Sequence, residues 1–136
     1  MPWFGQELFL KAQAKGSLIE KAYLDALAKN HRLAREEGIN AVMDRLELDA
    51  IIAPTGGPAY RTDLLWGDRP DTGGCSSPAA IAGYPHITVP MGLVNGLPVG
   101  ISFFGRAWSE PKLLALAYAF EQVTKARQPP QFLASL

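Results

Sequence analysis

The stretch that most invites chemistry is Gly73-Gly-Cys-Ser-Ser77, where a thiol and two hydroxyls occupy a glycine-rich turn just ahead of a proline. A helix starting there would aim unpaired N–H groups at a thiolate or an oxyanion. Such a nucleophile still needs a base. His31 falls inside a helical stretch and His86 enters a strand behind Pro85, and neither belongs to a motif with a carboxylate placed to orient it. Ser76 and Ser77 therefore read as helix caps rather than nucleophiles, and Cys75 as a small buried apolar residue. His31 reads as a surface residue and His86 as a buried, hydrogen-bonded one. One cysteine and two distant histidines give no ligand spacing, so no metal site is expected. No phosphate-cradling glycine loop or dinucleotide fingerprint is present either, and no cofactor is expected. Trp3, Trp66 and Trp108 share no helix or strand period and form no stacking platform. The lysines, Lys11, Lys15, Lys21, Lys29, Lys112 and Lys125, all lie in helical segments and read mostly as solvated faces rather than a buried base.

The chain that must position these groups has 136 residues, 48% of them apolar, with 13 Lys plus Arg against 13 Asp plus Glu. A balanced charge disfavours nucleic acid and anionic membrane as partners, because both need a basic face. No run of about 20 apolar residues exists to span a bilayer. A single cysteine and no secretory leader pattern point to a reducing cytoplasm. Charge is also unevenly placed: residues 50–60 and 72–105 contain no Asp, Glu, Lys or Arg. Those two segments should be interior.

Helical signals cover Gln6 to Lys15, ending at Gly16, and then Ser17 to about Glu37, opened by the capping-box pattern Ser17-Leu-Ile-Glu20 and stopped by Gly38. The second helix should pack through Ile19, Ala22, Tyr23, Ala26, Leu27 and Leu33 or Ala34. Asn40 can cap a short helix to about Leu46, and Asp49 to Ala53 reads as a buried strand ending in the Pro54 to Pro58 turn. Arg61 to Asp71, with Asp63, Asp68 and Arg69 between them, reads as a self-paired, solvent-facing loop. Ser76 or Ser77 should cap a helix with Pro78 in its first turn, ended by Gly83-Tyr-Pro85. His86 to Val94 and Leu97 to Phe104 flank Asn95-Gly96, the pattern of a type I′ hairpin, with Pro90 and Pro98 at a bulge, end or edge. A last helix after Ser109, with Pro111 in its first turn, should bury Leu113, Leu116, Ala117, Phe120 and Val123 before Pro129-Pro130. Three longer helices around at least three strands make an α/β arrangement. The lone strand can pair parallel with either hairpin strand across the long connection, which predicts a small mixed β-sheet with packing helices.

The run Ser77-Pro-Ala-Ala-Ile-Ala-Gly-Tyr-Pro-His-Ile-Thr-Val-Pro-Met-Gly92, followed by Gly96-Leu-Pro-Val-Gly-Ile-Ser-Phe-Phe-Gly105, resembles the C-terminal part of an amidase signature enzyme. Asp49 to Thr55, the Glu110 helix start, Glu121 to Thr124 with Pro129, and the Gly16 to Tyr23 helix fit the same pattern in order. The resemblance implies a serine hydrolase of carboxamide C–N bonds, working through an acyl-enzyme with a second serine and a buried lysine. Those three residues belong to the family's N-terminal half, and none can be placed on a position of this chain. Residues 1–136 are thus expected to form a single partial domain supplying sheet, core and one wall of the pocket for a small amide substrate. Thr55, Gly74, Cys75 and Ser76 are the expected wall, offering N–H groups or small side chains, or else they serve only to cap the helix. An Asp and an Asn of the glutamyl-tRNA amidotransferase pattern fall here on Gly73 and Ala80. That departure implies a stand-alone amidase acting on a small or apolar amide.

Three readings follow. The chain is the C-terminal part of an amidase, inactive alone, with Met1-Pro2 an introduced or alternative start. Alternatively it is a small binding or assembly module built from that fold, or an enzyme with new chemistry on Cys75 and a histidine recruited in space. A cut sheet leaves an open edge and an uncovered apolar face, so self-association or pairing with the N-terminal half is expected.

Overall fold

A computed structural model describes residues 5–65, 67 and 73–132. Trp3, Trp66 and the loop charges Asp68, Arg69 and Asp71 lie outside the described residues. In chain order the elements are helices α1 (Glu7–Gln13) and α2 (Lys21–Ala34), a π-helical turn (Arg35–Asn40), α3 (Ala41–Arg45), β1 (Ile51–Pro54), α4 (Ser76–Ala82), β2 (His86–Val94), β3 (Leu97–Phe104) and α5 (Glu110–Thr124).

The strands form one sheet in the order β1-β3-β2, and both pairings are antiparallel. The α/β arrangement is as expected, but the sheet is not mixed: β1 runs against β3, with Ile51 opposite Phe104 and Pro54 opposite Ile101. The connection from β1 is long enough to return in either direction, so loop length could not decide between them.

The hairpin forms where expected. Asn95 and Gly96 adopt φ of 50° and 81°, the two positive values that a type I′ turn requires. Pro90 borders a register shift between Pro90 and Gly92, and Pro98 sits near the start of β3, beyond its pairing with β1. Neither proline removes a donor from a continuous ladder.

Alternation along the strands divides the side chains between two layers. One face holds Ile51, His86, Thr88, Ser102 and Phe104 and meets a cluster of Ile39, Met43, Ala79 and Ala82 from the π-turn, α3 and α4. The other face packs Val89 and Phe103 on Leu113 and Ala117 of α5, flanked by Ile87, Ile101, Leu116 and Phe120. The sheet therefore lies between two helical layers.

Several local expectations fail for identifiable reasons. Helix α2 starts at Lys21 rather than Ser17, because Ser17 Oγ accepts only from Ile19 N, at 3.4 Å, and the capping box does not close. Ile19 and Tyr23 are exposed, and the face of α2 that turns inward runs through Leu27, His31 and Ala34. Gly38 does interrupt the helix as expected: its φ of −102° and ψ of −106° are non-helical and put a kink between the α2 run and α3. Asn40 makes no cap and instead donates Nδ2–H to the Tyr84 hydroxyl at 3.1 Å. Cys75, not Ser76 or Ser77, is the residue before α4, and no side chain caps that helix. Helix α5 begins after Ser109 as expected, yet it ends at Thr124, with Lys125 left-handed, and Val123 is 85% exposed.

Candidate functional site

The expected wall residues come together at one corner of the α3/α4 face. Thr55 leaves β1 with its N–H donated to Gly100 O at 2.8 Å, which keeps it in line with the sheet. Cys75 N–H then donates to Thr55 O at 3.4 Å, and Gly56 bridges Gly74 in antiparallel fashion. The turn before α4 is thereby tied to the end of β1. Gly73, with φ of 59°, supplies the left-handed residue that aims the chain into this contact. Gly74 and Ser76 are exposed, while Thr55 and Cys75 are half-buried.

Two further features were missed or left without named partners by the sequence reading. The first is a hydroxyl cluster: Ser102, fully buried, lies 2.7 Å from Thr55 Oγ1 and 3.0 Å from Thr88 Oγ1. Three hydroxyls satisfy one another, so a buried polar group sits in the sheet without an orphaned bond. Its signal in the sequence is the placement of Thr88 and Ser102 on facing strands, hidden by the bulge that sets their register. The second is His86, whose Nε2 lies 3.8 Å from Cys75 Sγ. His86 is only half-buried, its ring set edge-on against Phe104, and Cys75 is partly exposed rather than a closed core residue. The signal was the brevity of α4: a seven-residue helix flanked by turns brings the residue before it near the residue that follows its exit turn.

His31 is half-buried against Arg35, whose Nη2 lies 3.3 Å from His31 Nε2 and whose Nε–H donates to Ala82 O at 2.6 Å. It is therefore partly covered rather than a free surface residue. All six lysines are exposed. Lys112 donates to Asp49, and this hydrogen bond, with the attraction of the ammonium charge, holds the Asp49 carboxyl below the usual aspartate range. No cluster of three or more metal-ligating groups occurs among the described residues. No helix there is long and apolar enough to cross a membrane.

A three-stranded antiparallel sheet between helical layers, with small residues and hydroxyls gathered at one corner, defines an α/β chain. Residues 3–114 match the amidase family, and the chain belongs to it. It is 42% identical over 132 residues to a probable amidase of Arabidopsis thaliana, covering 96% of this chain and 22% of that protein. It is 40% identical over 115 residues to a putative amidase of Arthroderma benhamiae, covering 73% of this chain and 17% of that protein. Among solved structures it superposes on the peptide amidase of Stenotrophomonas maltophilia with TM-score 0.84 and 50% identity, over 95% of this chain and 26% of that one. A peptide amidase bound to the competitive inhibitor chymostatin gives TM-score 0.90 at 50% identity, over 97% of this chain and 27% of that one. The chain thus spans about a quarter or less of the length of these relatives.

Proposed function

We propose that this chain is the C-terminal segment of a serine-dependent amide hydrolase, contributing sheet, core and one wall of the substrate pocket, and that it does not hydrolyse amides by itself. The observation that carries the reading is the extent of the match: nearly the whole chain aligns with about a quarter of a peptide amidase. The exposure of every lysine supports the second half of the proposal, since the acyl-enzyme route implied by the family resemblance uses a buried lysine beside two serines.

In this reading Thr55, Gly74, Cys75 and Ser76 line the pocket. The backbone tie between Cys75 and Thr55 holds the turn in place, and the exposed Gly74 and Ser76 face the space a substrate would enter. The hydroxyl cluster behind them stiffens the floor, because Ser102 links Thr55 to Thr88 across three strands' worth of backbone. A peptide amide or another small amide is the substrate class, by similarity to the peptide amidases.

The test is ammonia release from an amidated peptide by the purified chain. We expect none. Turnover that disappears in Cys75→Ala or Ser76→Ala would overturn the proposal and make the chain a catalyst in its own right.

A further inference from the structure

Cys75 precedes α4 and His86 opens β2, so thiol and imidazole are delivered by different elements to a separation of 3.8 Å. Cys75 is half-buried, at the rim of the α3/α4 cluster rather than inside it. The imidazole is held by packing: its ring stands at 90° to Phe104, centroids 5.7 Å apart, and Phe104 is itself buried. A partly exposed nucleophile and a base held within hydrogen-bond range by a different element are the parts of an activated thiol.

We propose that Cys75 is a covalent modification site for small disulfides, with His86 as the base that activates it. The proton moves from Sγ to His86 Nε2, and Sγ attacks one sulfur of the disulfide. A new Sγ–S bond forms, the disulfide's own S–S bond breaks, and the second sulfur leaves with the electron pair as a thiolate. The product is a mixed disulfide on Cys75, and no further oxidant is consumed. The assignment uses only the Cys75–His86 pair and its surroundings, and it stands whether or not the neighbouring turn lines an amide pocket.

The test is the rate at which dithiodipyridine reacts with the chain, read from the absorbance of released thiopyridone and from intact mass. It is compared at one neutral pH in buffer and in denaturing urea, for the parent chain and for His86→Gln. Partial burial alone makes the native thiol slower than the unfolded one. Activation reverses that order: a free thiol is only a few per cent thiolate at pH 7, so we expect the native rate to exceed the urea rate about tenfold. In His86→Gln, with its fold checked by far-UV circular dichroism, the native rate should fall to or below the urea rate. A parent chain slower in buffer than in urea, or a folded His86→Gln that keeps the acceleration, overturns the proposal. Should His86→Gln fail to fold, the two rates of the parent chain decide alone.

Discussion

At Gly100 the backbone of β3 passes so close to its neighbours that a methyl group has no room. A Cβ there would lie 2.7 Å from Thr88 Cγ2 and 2.9 Å from Thr55 Oγ1, both members of the hydroxyl cluster. Gly100→Ala must therefore push apart the side chains that Ser102 joins. We expect a loss of about 1–3 kcal/mol relative to the parent chain in urea unfolding, the range for overpacking a well-filled site. The same crowding explains why Gly100 matters without a positive φ: the need is space, not backbone freedom. At this scale the sequence was partly legible. Thr55, Gly74, Cys75 and Ser76 were singled out and do converge, but His86 was set aside for want of a neighbouring partner in sequence. Its partner is Cys75, on the far side of a short helix.

Elements were legible where local chemistry decides and obscure where packing does. Asn95-Gly96 and Ser109 with Pro111 carry their own turn and helix-start geometry, and the structure agrees with both. The partner of Thr88 is different. Counting back from Val94 opposite Leu97, an unbroken ladder puts Thr88 opposite Phe103, but the bulge between Pro90 and Gly92 puts it opposite Ser102. A slip of one residue reverses the facing of every side chain, so the hydroxyl cluster depends on a bulge that the two prolines only hinted at. The direction of β1 was likewise set by contacts with β3, distant in sequence. Helix α5 gives a contrast that can be measured. Periodicity placed Leu113 and Val123 on one stripe, whereas the first is 2% exposed and the second 85%. We expect Leu113→Ala to cost about 2–5 kcal/mol and Val123→Ser to stay within about 0.5 kcal/mol of the parent in the same unfolding assay.

The whole molecule exposes far more surface than its mass predicts. Its accessible area is 10,642 Å², against about 6,900 Å² for a folded monomer of 14.7 kDa. Much of the excess is apolar: Leu8, Phe9 and Leu10 of α1, Ile52 on the edge strand, and Leu114, Tyr118 and Val123 on α5 are all exposed. Helix α1 buries no residue. Surfaces of this kind ordinarily lie against further protein. We expect the isolated chain to self-associate, giving a scattering mass that rises with concentration in the micromolar range. A concentration-independent monomer would count against this. The charge-free segment 72–105 supplies α4 and the β2–β3 hairpin, and the peptide amidase it matches is about four times as long as this chain.

The central claim is that these residues do for a whole amidase what the matched quarter does for its relatives. The direct measurement is a chimera of the Stenotrophomonas maltophilia peptide amidase in which the matched segment is replaced by this chain, assayed for hydrolysis of an amidated peptide. We expect a folded chimera that hydrolyses the amide. A chimera that folds, as judged by a cooperative melt, yet shows no hydrolysis would contradict it.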